Sequence, residues 1–298
     1  MPPLAPYFFL LVAVLSWAGN YVLAGGIHEQ ISPVSLAFFR WLLACLILFP
    51  FAIRRAIAQR RLIRRHIGLL TLLGFFSVTA FNTLIYQSLQ TSTVVNTVLI
   101  NATTPIVIIG LSRLLFPRPL GYRQICGTVL SFCGILVILA RSGNPGFAGF
   151  RPGVGDLWTL SAVMCWALYS VLLRRLPAVM DSTGAMLVMF VSGLLLLAPV
   201  YAWERVAIGS GPSLTPVLWG SVVYLAVFSS ILGYWCWNRA VAMIGARRAG
   251  PFLHLSPILS VLGAVLFISE TFQASHLAAL LMILSGVGIA QYVPARAR

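Results

Sequence analysis

The sequence predicts an all-α integral membrane protein of ten transmembrane helices in two inverted five-helix repeats. Three observations carry that expectation. Sixty per cent of the residues are apolar and 8% are charged, and apolar runs repeatedly exceed the roughly 20 residues that cross a hydrocarbon core. The stretch Gly74 to Pro105 is a degenerate copy of Ala226 to Pro257. One constant shift superposes Phe76 on Phe228, Ser77 on Ser229 and Pro105 on Pro257, then carries Gly134 onto Gly286, as an internal duplication would. Third, the arginines alternate from loop to loop. Sixteen lie in segments 54–65, 113–123, 174–175, 239–248 and 296–298, against three (Arg141, Arg151, Arg205) in the intervening loops, which also hold Glu29, Asp156, Glu204 and Glu270. The positive-inside rule makes the arginine-rich segments, and with ten spans both termini, cytoplasmic.

The first span, Pro6 to Gly25, has neither a positive leading region nor a small-residue cleavage site, so it should be retained. The second, Val34 to Ile53, follows a short turn at Ile31 to Pro33, and Arg54 to His66 reads as a basic loop. Only Gln90, Thr91 and Ser92 join span three (Ile67 to Leu89) to span four (Thr93 to Leu115), which makes those two antiparallel neighbours. Span five, Gln124 to Ala140, precedes a Gly/Pro-rich linker. Spans six to ten are Leu157 to Leu173, Ala185 to Tyr201, Val217 to Trp237, Ala249 to Ile268 and Leu277 to Tyr292. The repeats therefore cover 1–143 and 155–298, with 144–154 between them. Five spans per repeat is an odd number, so the second copy enters the membrane from the opposite side.

A net charge of +15 suggests nucleic acid until it is mapped, when it becomes a topology signal with no nucleic-acid partner implied. The loop arginines set orientation and meet lipid headgroups. Cys45, Cys126, Cys133, Cys165 and Cys236 all lie inside apolar spans, where they read as packing residues. His28 to Ser32, HEQIS, is half of a zinc-protease signature, with Ser32 where the second histidine is needed. No carboxylate pair at membrane depth, phosphate loop or Cys/His cluster appears. Neither enzyme activity nor a cofactor or metal is expected. A monomer would suffice, and the oligomeric state stays open.

The candidate substrate site comes from polar and aromatic residues at membrane depth. In span one Trp17, Asn20 and Tyr21 share one helix face, and in span six Trp166, Tyr169 and Ser170 repeat that spacing. Asn82 and Tyr86 in span three match Tyr234 and Asn238 in span eight, the same pair of types in reversed order. Such side chains face either a wet cavity or a neighbouring helix that they hold. Trp235 and Trp237 point different ways, so at most one belongs to this face. Pro105 and Pro257 expel the carbonyls of Asn101 and Leu253 from the helix ladder, leaving a packed kink or a contact for substrate ammonium or water. His254 reads as a neutral imidazole bonded to a neighbouring helix, with substrate contact as the alternative. Arg40, the one arginine well inside a span, is expected to snorkel outward or to meet Glu29 or a helix C-terminus; pairing with a substrate carboxylate is the sharper reading.

The short span ending WAGNY, the segment SPVSLAFFRWLLA in span two and GARRAGPFLHLSPILSVLGAVLFISE around span nine resemble the drug/metabolite transporter superfamily, and within it the EamA-type bacterial exporters. The similarity covers nearly the whole chain, with Ser269–Glu270 standing where many relatives have Gly–Glu. It implies inverted repeats, a midplane cavity between them, and export of small metabolites across a bacterial inner membrane, neutral and aromatic amino acids prominent among them. Aromatic faces suit a partly apolar solute. Efflux of lipophilic drugs or quaternary amines is the alternative. A phosphorylated-sugar or nucleotide-sugar carrier would want several cations in the cavity, where only Arg40 and Arg239 are candidates. All five acids fall in loops or at span ends, so transport without proton coupling is expected.

Overall fold

The computed structural model describes residues 4–92, 97, 100–116, 121–141, 153–208, 215–256, 259 and 274–291; some side chains within them, including that of Tyr21, stand outside the description. The described residues are almost wholly helical, with no strand. In chain order the helices are α1 (Ala5–Gly26), α2 (Pro33–Ala58), α3 (Ile67–Ser88), α4 (Thr104–Leu115), α5 (Tyr122–Arg141), α6 (Val154–Leu172), α7 (Ser182–Ile208) and α8 (Pro216–Ile244). A short α9 (Ala246–Ala249), prolonged by a 3₁₀ turn at Gly250–His254, and α10 (Ala274–Gln291) follow. Five of them, α2, α3, α6, α7 and α8, are long and apolar enough to cross a membrane, and α1, α4 and α10 contain shorter apolar helices.

Local sequence explains most ends. Ser32 caps α2 by accepting from the Ser35 amide, and Thr215 caps α8 by accepting from that of Leu218; each is followed by proline, whose missing amide costs nothing in the first turn. Gly245 ends α8 with φ near 80°, a conformation that favours glycine, its N–H returning to the Val241 carbonyl. Two expected boundaries shift. Arg54 to His66 is helical, not a loop: α2 continues to Ala58 and Arg60–Arg65 forms a further helix. Ala52, Ala56 and Ile63 are buried along one side while the arginines stand exposed, an amphipathic pattern that a helix satisfies and a loop would waste. Likewise α8 runs past Trp237 to Ile244, because Asn238 has a partner inside the bundle.

Helices of the two halves pair crosswise: α1 with α8, α3 with α6, α2 with α7, α4 with α9 and α5 with α10. Bilayer helices gain little from hiding apolar surface, so close approach between small residues does the holding. A Cβ at Gly127 would lie 2.4 Å from the Gly286 carbonyl, and one at Gly286 would lie 2.5 Å from that of Gly127. The surface is apolar, with Phe8, Leu46, Phe51, Leu114 and Leu195 exposed, while Asn20, Arg40, Asn82, Asn238 and His254 are buried. That inversion suits a lipid surround and leaves every buried polar group to find a partner in protein.

Candidate functional site

Both α3 and α8 change helical register at matching places, Phe75–Ala80 and Leu225–Leu232, where the backbone winds as a π-helix. Short π segments free backbone groups for other uses and gather at functional sites. Here the Ser77 carbonyl accepts from Asn82 Nδ2 (3.0 Å) and from Tyr234 OH (2.8 Å). The Ser229 carbonyl accepts from Trp17 Nε1 (2.8 Å). Ser77 and Ser229 are the very positions that the self-match aligned. Their pairing was legible in the sequence; their role was not.

Around these segments lies one polar network. The Arg40 guanidinium, 1% exposed, donates from Nε to Ser230 Oγ (2.6 Å) and from Nη1 to Asn20 Oδ1 (3.2 Å), Asn82 Oδ1 (2.7 Å) and Tyr86 OH (2.6 Å). Tyr86 donates in turn to Asn20 Oδ1 (3.1 Å), and Asn82 Nδ2 reaches Tyr234 OH (3.3 Å). In the second half Tyr169 OH donates to Asn238 Oδ1, so the tyrosine and asparagine of the Asn20–Tyr86 pair exchange places. Arg40 thus neither snorkels nor meets Glu29. It sits about 10 Å along α2 from Pro33 at 1.5 Å per residue, within reach of polar oxygens on three other helices, and bonding them is better than leaving a desolvated cation bare.

The aromatic residues predicted for the two faces meet edge-on. Trp17 and Trp166 have ring centroids 5.1 Å apart, and Tyr234 packs against both at 6.1 and 5.3 Å. Phe81 and Trp237 join at 4.8 and 5.7 Å from Trp166, whereas Trp235 turns to Phe9. T-shaped contacts of this kind suit the aromatic quadrupole. Beside the cluster lies a cavity of about 50 Å³ lined by Trp17, Asn20, Arg40, Phe81, Asn82, Asn101, Thr104, Trp166, Tyr234, Leu253 and Ser256. A cavity of ~150 Å³ accepts benzene, so this conformation has room for a few waters and no aromatic ring.

The remaining candidates divide. Asn101 lines the cavity, but its carbonyl is taken by the Thr104 hydroxyl, and α4 begins at Thr104 after turns at Ala102 and Thr103. The span expected to bend at Pro105 is broken there. Pro257 lies outside the described residues, as does the side chain of Tyr21. His254 is fully buried beside the cavity-lining Leu253, and its Nε2 lies 3.0 Å from the Ala102 carbonyl on the broken span, a bond to a neighbouring helix. Tyr86, Tyr169, Ser170 and Asn238 are buried behind the lining, and the Ser170 hydroxyl has no partner. Arg239 is exposed on α8 and does not line the cavity.

A solved crystal structure matches the chain with a TM-score of 0.75 at 19% identity, over 96% of each chain, which shows a shared fold. Among curated proteins, the uncharacterized transporter YyaM of Bacillus subtilis is 26% identical over 260 residues, 86% of this chain and 84% of its own. A probable amino-acid metabolite efflux pump of Salmonella typhimurium is 24% identical over 294 residues, 95% and 93% of the two chains, and one of Escherichia coli is 22% identical over 288. The model of the EamA-like transporter family matches twice, at residues 4–140 and 153–291. Those matches take in most of the chain, and with its apolar spans they make it a multi-pass membrane transporter belonging to the EamA-like family.

Proposed function

We propose that the protein exports small metabolites by alternating access, that neutral amino acids with aromatic or branched side chains are its substrates, and that no proton is coupled to their movement. The observation that carries this reading is the cavity deep in the bundle, walled by Trp17, Trp166 and Phe81 and floored by the Arg40 network. Indole and phenyl rings offer flat apolar surface, and the polar floor fixes orientation. The names of the Salmonella and Escherichia relatives point the same way. The two successive family matches support ten spans as inverted repeats over 1–143 and 155–298. The crosswise pairing is what a two-fold axis would give, since α1 on α8 and α6 on α3 are mates.

With both termini cytoplasmic in a bacterial inner membrane, as the arginine distribution favours, one repeat would rock against the other around this site. A space of about 50 Å³ would have to widen as it does so. Among the described residues the lining holds one cation and no carboxylate, which disfavours quaternary amines and provides no acidic group to exchange a proton. A single cation is also fewer than a phosphorylated sugar would want. Efflux from proteoliposomes loaded with a panel of labelled amino acids tests the reading: release of aromatic or branched members above empty-vesicle controls is expected, and no release of any member would overturn it.

A further inference from the structure

We infer that Arg40 anchors a carboxylate on the transported molecule, so that the acid group, and not the ammonium, is what a substrate must carry. The inference rests on the cavity being the transport site and goes further by assigning the substrate's charge. A guanidinium 1% exposed at this depth has been stripped of water and calls for an anion. Its hydrogen-bond partners, Ser230, Asn20, Asn82 and Tyr86, are all neutral. Those four bonds leave from Nε and Nη1, and Nη2 takes no part in them. The described carboxylates are placed elsewhere: Glu204 accepts from Ser32 and Ser35, Asp156 from Ser92 and the Gly153 amide, Asp181 pairs with Arg55, and Glu29 is exposed. Among the described residues no carboxylate answers the Arg40 charge, and the cavity that Arg40 lines is where a substrate's would arrive.

The rest of the lining narrows the anion. Arg40 has no charged equivalent in the second half, where the corresponding stretch of α7 reads Met189, Phe190, Val191, Ser192, so a singly charged group is matched. The Trp166 indole N–H is buried without an acceptor, a second donor in the same wall. Among the described lining residues none is acidic, so an ammonium group would find there only neutral oxygens and ring faces. It is tolerated but not required. An aromatic monocarboxylate should bind at least as well as the amino acid with the same ring, and the decarboxylated amine should not bind.

Phenylalanine, 3-phenylpropionate and phenethylamine share one frame and separate the charges. Titrated into the purified wild-type protein, with quenching of tryptophan fluorescence as the signal, the first two should bind and the amine should not. Arg40→Gln should weaken both carboxylates by about 30-fold or more, the loss expected when one member of a buried charge pair is removed, and Arg40→Lys should recover part of it. Since Arg40 ties α2 to α1, α3 and α8, a variant that misfolds would say nothing; the wild-type ligand series then decides. Phenethylamine binding as tightly as 3-phenylpropionate would overturn the inference, as would binding by none of the three. Saturable quenching by chloride alone would make Arg40 the seat of a resident inorganic ion and overturn it too. Phenylalanine efflux with equal phenethylamine efflux would leave the export reading standing while sinking this one. Arg40-dependent binding of 3-phenylpropionate with no amino-acid efflux would do the reverse.

Discussion

Trp17 is where wall and backbone meet, so Trp17→Phe separates its hydrogen bond from its bulk. The indole N–H is 2.8 Å from the Ser229 carbonyl in the π segment of α8, and phenylalanine keeps an aromatic ring near Trp166 while removing the donor. Hydrogen bonds between membrane helices average about 0.6 kcal/mol and reach about 1.7. A free carbonyl in a π segment belongs near the top of that range, so Trp17→Phe should cost about 1–2 kcal/mol, against about 3–5 for Trp17→Ala. Gly233 supplies the control: a Cβ there would lie 2.5 Å from Trp17 Nε1. Gly233→Ala should push the indole off its acceptor and cost roughly 1–3 kcal/mol by overpacking. In the Trp17→Ala background the ring it collides with is gone, so most of that cost should vanish, a coupling of at least about 0.5 kcal/mol. Reversible unfolding of the four proteins in micelles measures it. Equal cost of Gly233→Ala in both backgrounds would refute the geometry.

Other consequences are open to measurement. Arg60→Cys should react with a membrane-impermeant thiol reagent only from the cytoplasmic face; labelling from the periplasm alone would reverse the topology. Gly286→Ala places a methyl 2.3 Å from Ser131 Oγ and 2.5 Å from the Gly127 carbonyl, whereas Gly288 has nothing within 4 Å. The yield of monodisperse protein should fall several-fold for the first and hold for Gly288→Ala. An imposed pH gradient should leave accumulation of a zwitterionic substrate in proteoliposomes unchanged; accumulation that follows the gradient and disappears in His254→Ala would make His254 a proton site.

The all-helical, membrane-spanning character was legible because the bilayer imposes a simple rule, that apolar length gives spans. The matched faces were legible too, since Trp17 meets Trp166 and Asn82 meets Tyr234. What escaped was set by neighbours rather than by local pattern. A π turn has no apolar period of its own over six or eight residues, so neither register change could be read from Phe75–Ala80 or Leu225–Leu232. Arg40 had a depth but no partners, because those partners come from α1, α3 and α8, each far away in sequence. The burial of Tyr86 and Trp166, both 2% exposed, also means that alanine there removes core as well as wall. The hydropathy of Thr93 to Leu115 concealed the break at Ala102 and Thr103, since a broken helix and a bent one have the same composition.

The two ends of α2 are closed by contacts of unequal strength, and that inequality predicts which end opens. At its C-terminal end Arg55 pairs with Asp181 at 3.3 Å with side chains 60% and 30% exposed, which contributes about 0–1 kcal/mol, and Gln59 donates to the Val179 carbonyl and accepts from the Asp181 amide, neutral bonds of about 0.5–1.5 kcal/mol each. At its N-terminal end Glu204, 9% exposed, accepts from Ser32 Oγ (2.6 Å) and Ser35 Oγ (2.9 Å). Its charge lies at the start of the helix, where the macrodipole favours an anion. Hydrogen bonds to a charged group contribute about 1.5–3 kcal/mol each, so this latch is the stronger. On the proposed topology, which puts the N-terminal end of α2 in the periplasm, the resting protein should open more readily to the cytoplasm, as the proposed export needs for loading. Glu204→Gln removes the charge and keeps the shape. A loss of about 1.4 kcal/mol there would raise the outward-open population roughly tenfold relative to wild type. A cysteine at Phe81, in the cavity wall, reports it through labelling by an impermeant thiol reagent added from the periplasm. Labelling that rises in Arg55→Gln and not in Glu204→Gln would show that the ion pair, and not the carboxylate on α2, holds the outer side shut.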